Sequence, residues 1–273
     1  MSRPDFIIAG VQKSATTSLH EHLDQHDHVS MSRPKELHFF DTPRRPSESA
    51  VRAYRERFPS YPHTLVTGES TPIYSYYPGA LELIRDVLGP IKVVIIVRHP
   101  VQRTYSHYQH EVRIGWEQLS YQQALRRTPS CPDDDVYLRH HSYIERSCYT
   151  DQLERCRALF GDDEVLVVRF EDFVASPLQT VNTVLTFIDP SLAHFAHLEA
   201  HNSSRSGAPR IVFIHRAVAG LHQRLGRRVF PPRTLGWNLT GQKYPPLGGH
   251  EYDVTRQILL ERDSELLNLY PDL

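Results

Sequence analysis

Cysteine is scarce in this sequence. Cys131, Cys148 and Cys156 are the only three in 273 residues, an odd and sparse set that makes no disulfide framework, and no C-x-x-C pair offers a zinc site. An excess of one charge is missing too, with 31 Lys+Arg against 32 Asp+Glu. That balance excludes a nucleic-acid binder working by bulk electrostatics, although a local basic pocket fits inside it. The 17 histidines add positive charge only below neutral pH. Long hydrophobic runs are absent as well. The first apolar stretch, Phe6 to Ala9, is too short for a signal peptide or a membrane span. The protein is therefore expected in the cytoplasm, off the membrane and with reduced thiols. The glycosylation patterns at Asn202 and Asn238 are expected to be unused. No repeat, low-complexity tract or linker interrupts the chain, so one domain over residues 1–273 is the simplest count. A hydrophobic share of 40% and a charged share of 23% suit an enzyme with a sizeable core.

What is present alternates. Phe6-Ile-Ile-Ala9 ending at Gly10 reads as a buried parallel strand, and Thr17 onward as a helix with hydroxyls available to cap it. Leu65 to Glu69 reads as a second strand and Gly79 to Leu88 as a helix. Ile91 to Val97, β-branched and almost wholly apolar, reads as the central strand. Pro100 opens a helix to about His110. A helical stretch from Tyr143 to Phe160 precedes a further strand over Glu164 to Arg169, and the last helix runs from Glu251 to Leu269. Thr128 to Asp135 reads as a surface loop, and His201 to Pro246 as irregular chain around one helix, Ile211 to Leu225. The fold class that follows is α/β: a single domain with a central parallel sheet flanked by helices.

Gly10-Val-Gln-Lys-Ser-Ala-Thr-Thr-Ser18 lies between the first strand and its helix. Backbone N–H groups converge at such a junction and the helix dipole favours an anion there. Ser14, Thr16, Thr17 and Ser18 add hydroxyls and Lys13 adds a full charge. The Walker pattern is absent, because Lys13 comes too early and Ala15 stands mid-loop. Ser and Thr serving only to cap the helix would account for Thr16 or Thr17, but not for a lysine in the loop.

This segment resembles the 5′-phosphosulfate loop of sulfotransferases that use 3′-phosphoadenosine 5′-phosphosulfate (PAPS). Val97-Arg98-His99-Pro100 with Ser106 in the following helix resembles the family's 3′-phosphate site. A donor with phosphate at both 3′ and 5′ positions needs two separated anion sites, and both stand here at strand C-terminal ends. Pro34-Lys35-Glu36-Leu37-His38-Phe39-Phe40-Asp41 resembles a motif of the heparan sulfate and other carbohydrate sulfotransferases, in which the glutamate is the proposed base. Gly68-Glu-Ser-Thr-Pro-Ile-Tyr74 fits the same order, and Gln242-Lys243-Tyr244-Pro-Pro-Leu247 resembles a basic loop that closes over the nucleotide. The resemblance implies a P-loop-like nucleotide site built from Lys13, Ser14, Ala15, Thr16, Thr17, Ser18, Arg98, Ser106, Lys243 and Tyr244. It departs at Ala15, where the family more often has glycine, so Ala15 must accept a conformation that glycine takes more easily.

The expected activity is transfer of a sulfuryl group from PAPS to a hydroxyl of a glycan or small molecule, leaving adenosine 3′,5′-bisphosphate (PAP), with no metal. Lys13 is the candidate for neutralising the leaving oxygen. Glu36 is the first candidate base, His38 the second and Glu69 the third. A salt bridge to Lys35 is the plain alternative for Glu36, and packing beside Phe39 and Phe40 the one for His38. Two other classes stay open: a P-loop kinase, and a non-catalytic module that binds nucleotide or glycan. Acceptor identity and oligomeric state are left open.

Overall fold

The computed structural model describes residues 3–59, 61–131, 133–192, 194–198 and 244–273. They belong to two compact units, Met1–His99 with Tyr149–Ser203, and Pro100–Cys148 with Ser204–Leu273. The helix expected over 211–225, and Lys243, lie outside the described residues.

The first unit holds a five-stranded parallel sheet with strands β1 (Phe6–Gly10), β2 (Val29–Met31), β3 (Val66–Ser70), β4 (Lys92–Val97) and β5 (Val165–Arg169). Its order is β2-β3-β1-β4-β5. β1 runs between β3 (Ile8 opposite Ser70) and β4 (Gly10 opposite Ile95). Both neighbours shield it, so all five of its residues are buried. Helices α1 (Thr16–Leu23), α2 (Glu48–Arg55), α3 (Ala80–Leu88), α6 (Thr150–Phe160), α7 (Phe170–Ala175) and α8 (Pro177–Ile188) belong to this unit.

Alternation along the strands divides the core. Phe6, Ile8, Val94, Ile96 and Val168 face one way and pack with Leu19 and Leu23 of α1 and Val181, Val184 and Leu185 of α8. The connection β1–α1–β2 moves one way across the sheet while β3–α3–β4 and the path to β5 move the other, so right-handed crossovers put α1 and α3 on opposite faces. The direction reverses between β1 and β4, and an open α/β sheet binds its ligands at the carboxyl ends of the strands at such a point.

The second unit is built on α4 (Pro100–Ile114), with α5 (Tyr121–Leu125), α9 (Gly249–Arg262) and α10 (Leu266–Leu269). Polar side chains fill much of its interior. Arg103, fully buried, donates to the Tyr143 carbonyl at 2.7 Å. Tyr121 Oη bonds Thr255 Oγ1 at 2.9 Å, tying α5 to α9.

The expected α/β class is therefore present, and the four expected strands are found to within one residue. Other expectations are corrected. α4 runs on to Ile114 because Glu111 and Val112 are buried by packing that continues past His110. The stretch from Tyr143 is helical as α6 only from Thr150; before it stands one 3-10 turn, Glu145–Ser147, and Cys148 turns extended. The last helix is broken at Asp263, whose φ of −150° leaves helical space.

Candidate active site

Gly10 ends β1 where the chain passes close to Ser75, and a Cβ at that position would collide with Ser75 Oγ. The loop that follows turns through left-handed conformations at Lys13 (φ 76°) and Ala15 (φ 63°), a region that costs a non-glycine residue about 1–2 kcal/mol. Ala15 does take the glycine-like conformation expected of it. It also stands at the N-cap of α1, and no side chain caps that helix. The hydroxyls expected as caps are thus not spent on capping, and the first N–H groups of α1 have no partner within the helix. Ser14 is fully buried and its Oγ has no hydrogen-bond partner among the described residues. Thr16 is buried, Ser18 half-buried and Thr17 exposed. Unmet donors gathered at a helix N-terminus fit the phosphate end of a nucleotide.

Arg98, just past β4, is joined to this loop. Its Nη1 donates to the Lys13 carbonyl at 3.1 Å, and its guanidinium lies 4.6 Å from the centroid of the Phe170 ring. Tyr149 Oη donates to the Arg98 carbonyl at 2.7 Å. The cation at the end of β4 is therefore held against the loop at the end of β1, on the two strands that flank the reversal.

The Lys35–Asp41 segment crosses the end of the next strand. Glu36 N donates to the carbonyl of Ser70, the last residue of β3, at 3.0 Å. Glu36 (φ 61°) and His38 (φ 52°) are left-handed here as well. Lys35 Nζ bonds Glu36 Oε1, so the expected alternative of a salt bridge is present. His38 Nδ1 lies 2.7 Å from Asp41 Oδ2, and its Nε2 lies 3.8 Å from Glu36 Oε2. Burial pushes the Glu36 carboxyl up, but the nearby His38 ring and the charge and hydrogen bond of Lys35 outweigh it and hold it at about 2. The hydrogen bond to Asp41 and the Glu36 carboxylate nearby raise His38 to about 9 against partial burial. Near neutral pH these shifts favour an ionised Glu36 and a protonated His38. Lys35 also reaches α1: after burial, its charge is the main influence holding His20 down at about 4.

Glu69, the third candidate, is fully buried at the end of β3 and receives three hydroxyls, from Tyr54, Thr71 (2.8 Å) and Tyr74 (2.7 Å). Burial raises its pKa against those bonds. Tyr54 was missed in the sequence. It stands alone on the short helix α2, as that helix's one buried residue, and no spacing linked it to Glu69. The second unit holds Ser106, half-buried on α4, and Tyr244. Burial pushes the Tyr244 phenol up, and the next residue, Pro245, accepts a hydrogen bond from Tyr105 of α4 at 3.1 Å.

Known proteins resemble the chain as follows. Human heparan sulfate glucosamine 3-O-sulfotransferase 5 is 28% identical over 187 residues, 68% of this chain and 53% of that one. The bifunctional heparan sulfate N-deacetylase/N-sulfotransferase 1 of Caenorhabditis elegans is 33% identical over 114 residues, 40% of this chain and 13% of that one. The chain spans about half the length of the first of these. The crystal structure of a sulfotransferase from Alicyclobacillus acidocaldarius superimposes with a TM-score of 0.59 and 28% identity, over 75% of this chain and 89% of that one. The sulfotransferase domain family itself matches residues 3–204, a span that takes in the uncapped loop, the Lys35–Asp41 segment and Arg98. On that match the chain belongs to the sulfotransferase domain family.

Proposed function

We propose that this chain transfers a sulfuryl group from PAPS to a hydroxyl of a carbohydrate or small-molecule acceptor. The observation that carries the reading is the β1–α1 junction, with its uncapped helix, a buried Ser14 hydroxyl that has no partner among the described residues, and a cation tethered just past the neighbouring strand. When bound, PAPS supplies the sulfuryl group and departs as PAP. The loop's N–H groups and the hydroxyls of Ser14, Thr16, Thr17 and Ser18 hold the 5′ end. Arg98 meets the 3′-phosphate, with Ser106 and the Lys243–Tyr244 loop assigned to the nucleotide by resemblance. The Lys13 ammonium neutralises charge on the oxygen that parts from sulfur. Glu36 accepts the proton of the attacking hydroxyl, and the His38 imidazolium orients that carboxylate. Relatives named for heparan sulfate glucosamine support a sugar acceptor.

Titration calorimetry with PAP, AMP and ATP tests the donor. PAP is expected to bind far more tightly than AMP, and Arg98→Ala should remove roughly 10- to 100-fold of that preference, the worth of a charged hydrogen bond. Equal affinity for PAP and AMP overturns the reading, and tighter binding of ATP transfers it to a kinase. Labelled PAPS offered with glycans, phenols and other hydroxyl compounds then identifies the acceptor.

A further inference from the structure

Glu69 lies one layer beneath the segment that carries Glu36 and His38. Its Oε1 accepts from Tyr74 Oη at 2.7 Å, and that phenol oxygen in turn accepts from Phe39 N at 2.9 Å and Phe40 N at 3.4 Å. Its Oε2 accepts from Tyr54 Oη. The Tyr54 ring stacks on Phe39, with centroids 4.4 Å apart and planes 23° apart, and meets Phe40 edge-on at 5.2 Å. Phe39 and Phe40 are the residues between His38 and Asp41. One carboxylate thus fixes two phenols, and the phenols grip the backbone and rings at the centre of the motif.

We propose that Glu69 is a positioning residue of the sulfuryl-transfer site, acting through Tyr74 and Tyr54 to set where Glu36 and His38 stand; the inference rests on the sulfuryl-transfer reading above. A buried carboxylate is costly unless hydrogen-bonded, and three hydroxyl donors meet that cost here. A purely structural need at this place would be met by an apolar side chain of similar size. What a carboxylate adds is direction: it orients both phenol O–H groups toward itself, which leaves the Tyr74 oxygen's lone pairs for the N–H groups of Phe39 and Phe40. Misplacing a reacting group by about 1 Å costs on the order of 10²-fold in rate.

The test uses the full chain with Glu69→Gln and Tyr74→Phe, the second keeping the ring while removing the phenol oxygen. The imidazole of His38 is followed by NMR through a pH titration, beside calorimetry with PAP and steady-state kinetics. Both variants are expected to bind PAP and to keep KM for PAPS, while kcat falls roughly 10- to 100-fold. The His38 midpoint should drop by more than about one pH unit toward the ordinary value near 6.5 as its contacts with Asp41 and Glu36 loosen. A role in folding alone would lower the melting temperature and leave both kcat and the titration of the folded protein unchanged, and that result overturns the proposal. So does loss of PAP affinity in proportion to kcat. If Glu69→Gln does not fold, Tyr74→Phe decides alone. A wild type that never turns over PAPS defeats the sulfuryl-transfer reading, whereas an unmoved His38 titration defeats the role of Glu69.

Discussion

Two segments at the carboxyl edge of the sheet use the same unusual backbone for opposite ends. Gly10–Ser18 and Lys35–Asp41 each place two non-glycine residues at positive φ, Lys13 with Ala15 and Glu36 with His38. In the first segment donors are left open: the α1 N-terminus has no side-chain cap and Ser14 Oγ has no hydrogen-bond partner among the described residues. In the second the charges are paired with one another, Lys35 to Glu36 and His38 to Asp41. Unmet donors wait for a ligand that brings acceptors, and a phosphate brings several. Paired charges make a constellation that needs little rearrangement at the moment of reaction. The difference teaches that one backbone conformation can leave polar groups open in one segment and close charges on one another in the next.

The largest effect that separates the two comes from Glu36→Gln, which keeps shape but removes the accepting charge. Turnover is expected to fall about 10²- to 10⁴-fold with PAP affinity unchanged, as read by kinetics and calorimetry together. The pH profile sharpens the point. Glu36 is held at about 2 and so stays ionised at any higher pH, and the wild type should show no acidic limb down to about pH 4. His38, raised to about 9, loses its proton as pH climbs through that value, and activity should decline there. In His38→Ala the Glu36 carboxyl rises toward its ordinary range near 4.3, so an acidic limb should enter the measurable range. Activity abolished in His38→Ala but retained in Glu36→Gln would make histidine the base.

Lys13→Ala strikes the other segment. If its ammonium works on the leaving oxygen, turnover at saturating PAPS should fall about 10²- to 10³-fold. Near-normal turnover combined with weakened PAPS binding would reduce Lys13 to a binding residue and erase the kinetic half of the contrast.

Much of this frame was legible in the residues. β4 could be read because Val93 to Val97 are apolar without interruption, as a strand covered on both faces must be. The loop could be read because a lysine among hydroxyls has no purpose in a plain helix cap. β2 escaped notice because its three residues, Val29, Ser30 and Met31, are too few to show a period. α7 and α8 share the stretch Phe170–Ile188, in which Pro177 serves as a first-turn residue of the second helix and splits the stretch into two short helices. Tyr54 and Glu69 meet across a sequence separation of 15, and side-chain contacts between elements leave no mark in one sequence. Glu69 therefore reads in the sequence as a candidate base, with nothing to show that it is fully buried and receives the Tyr54, Thr71 and Tyr74 hydroxyls.

The smallest expected effect tests whether backbone alone matters in the first segment. Ala15 holds φ 63° and ψ 23° at the start of α1, which costs about 1–2 kcal/mol that glycine would not incur. Two effects oppose the gain in Ala15→Gly. Glycine adds freedom to the unfolded chain, worth about 0.4–1 kcal/mol. The methyl packs partly against the core beside Leu19, and a fully buried methyl is worth about 0.8 kcal/mol. These nearly cancel, so the melting temperature should move by no more than about 2 °C, with PAP affinity and turnover kept. Glu36→Gly relieves the same kind of strain but deletes the charge that Lys35 and His38 surround, and turnover should collapse with it. If Ala15→Gly destabilises by several degrees or weakens PAP binding, the loop depends on its side-chain packing as the second segment does, and the contrast between the two fails.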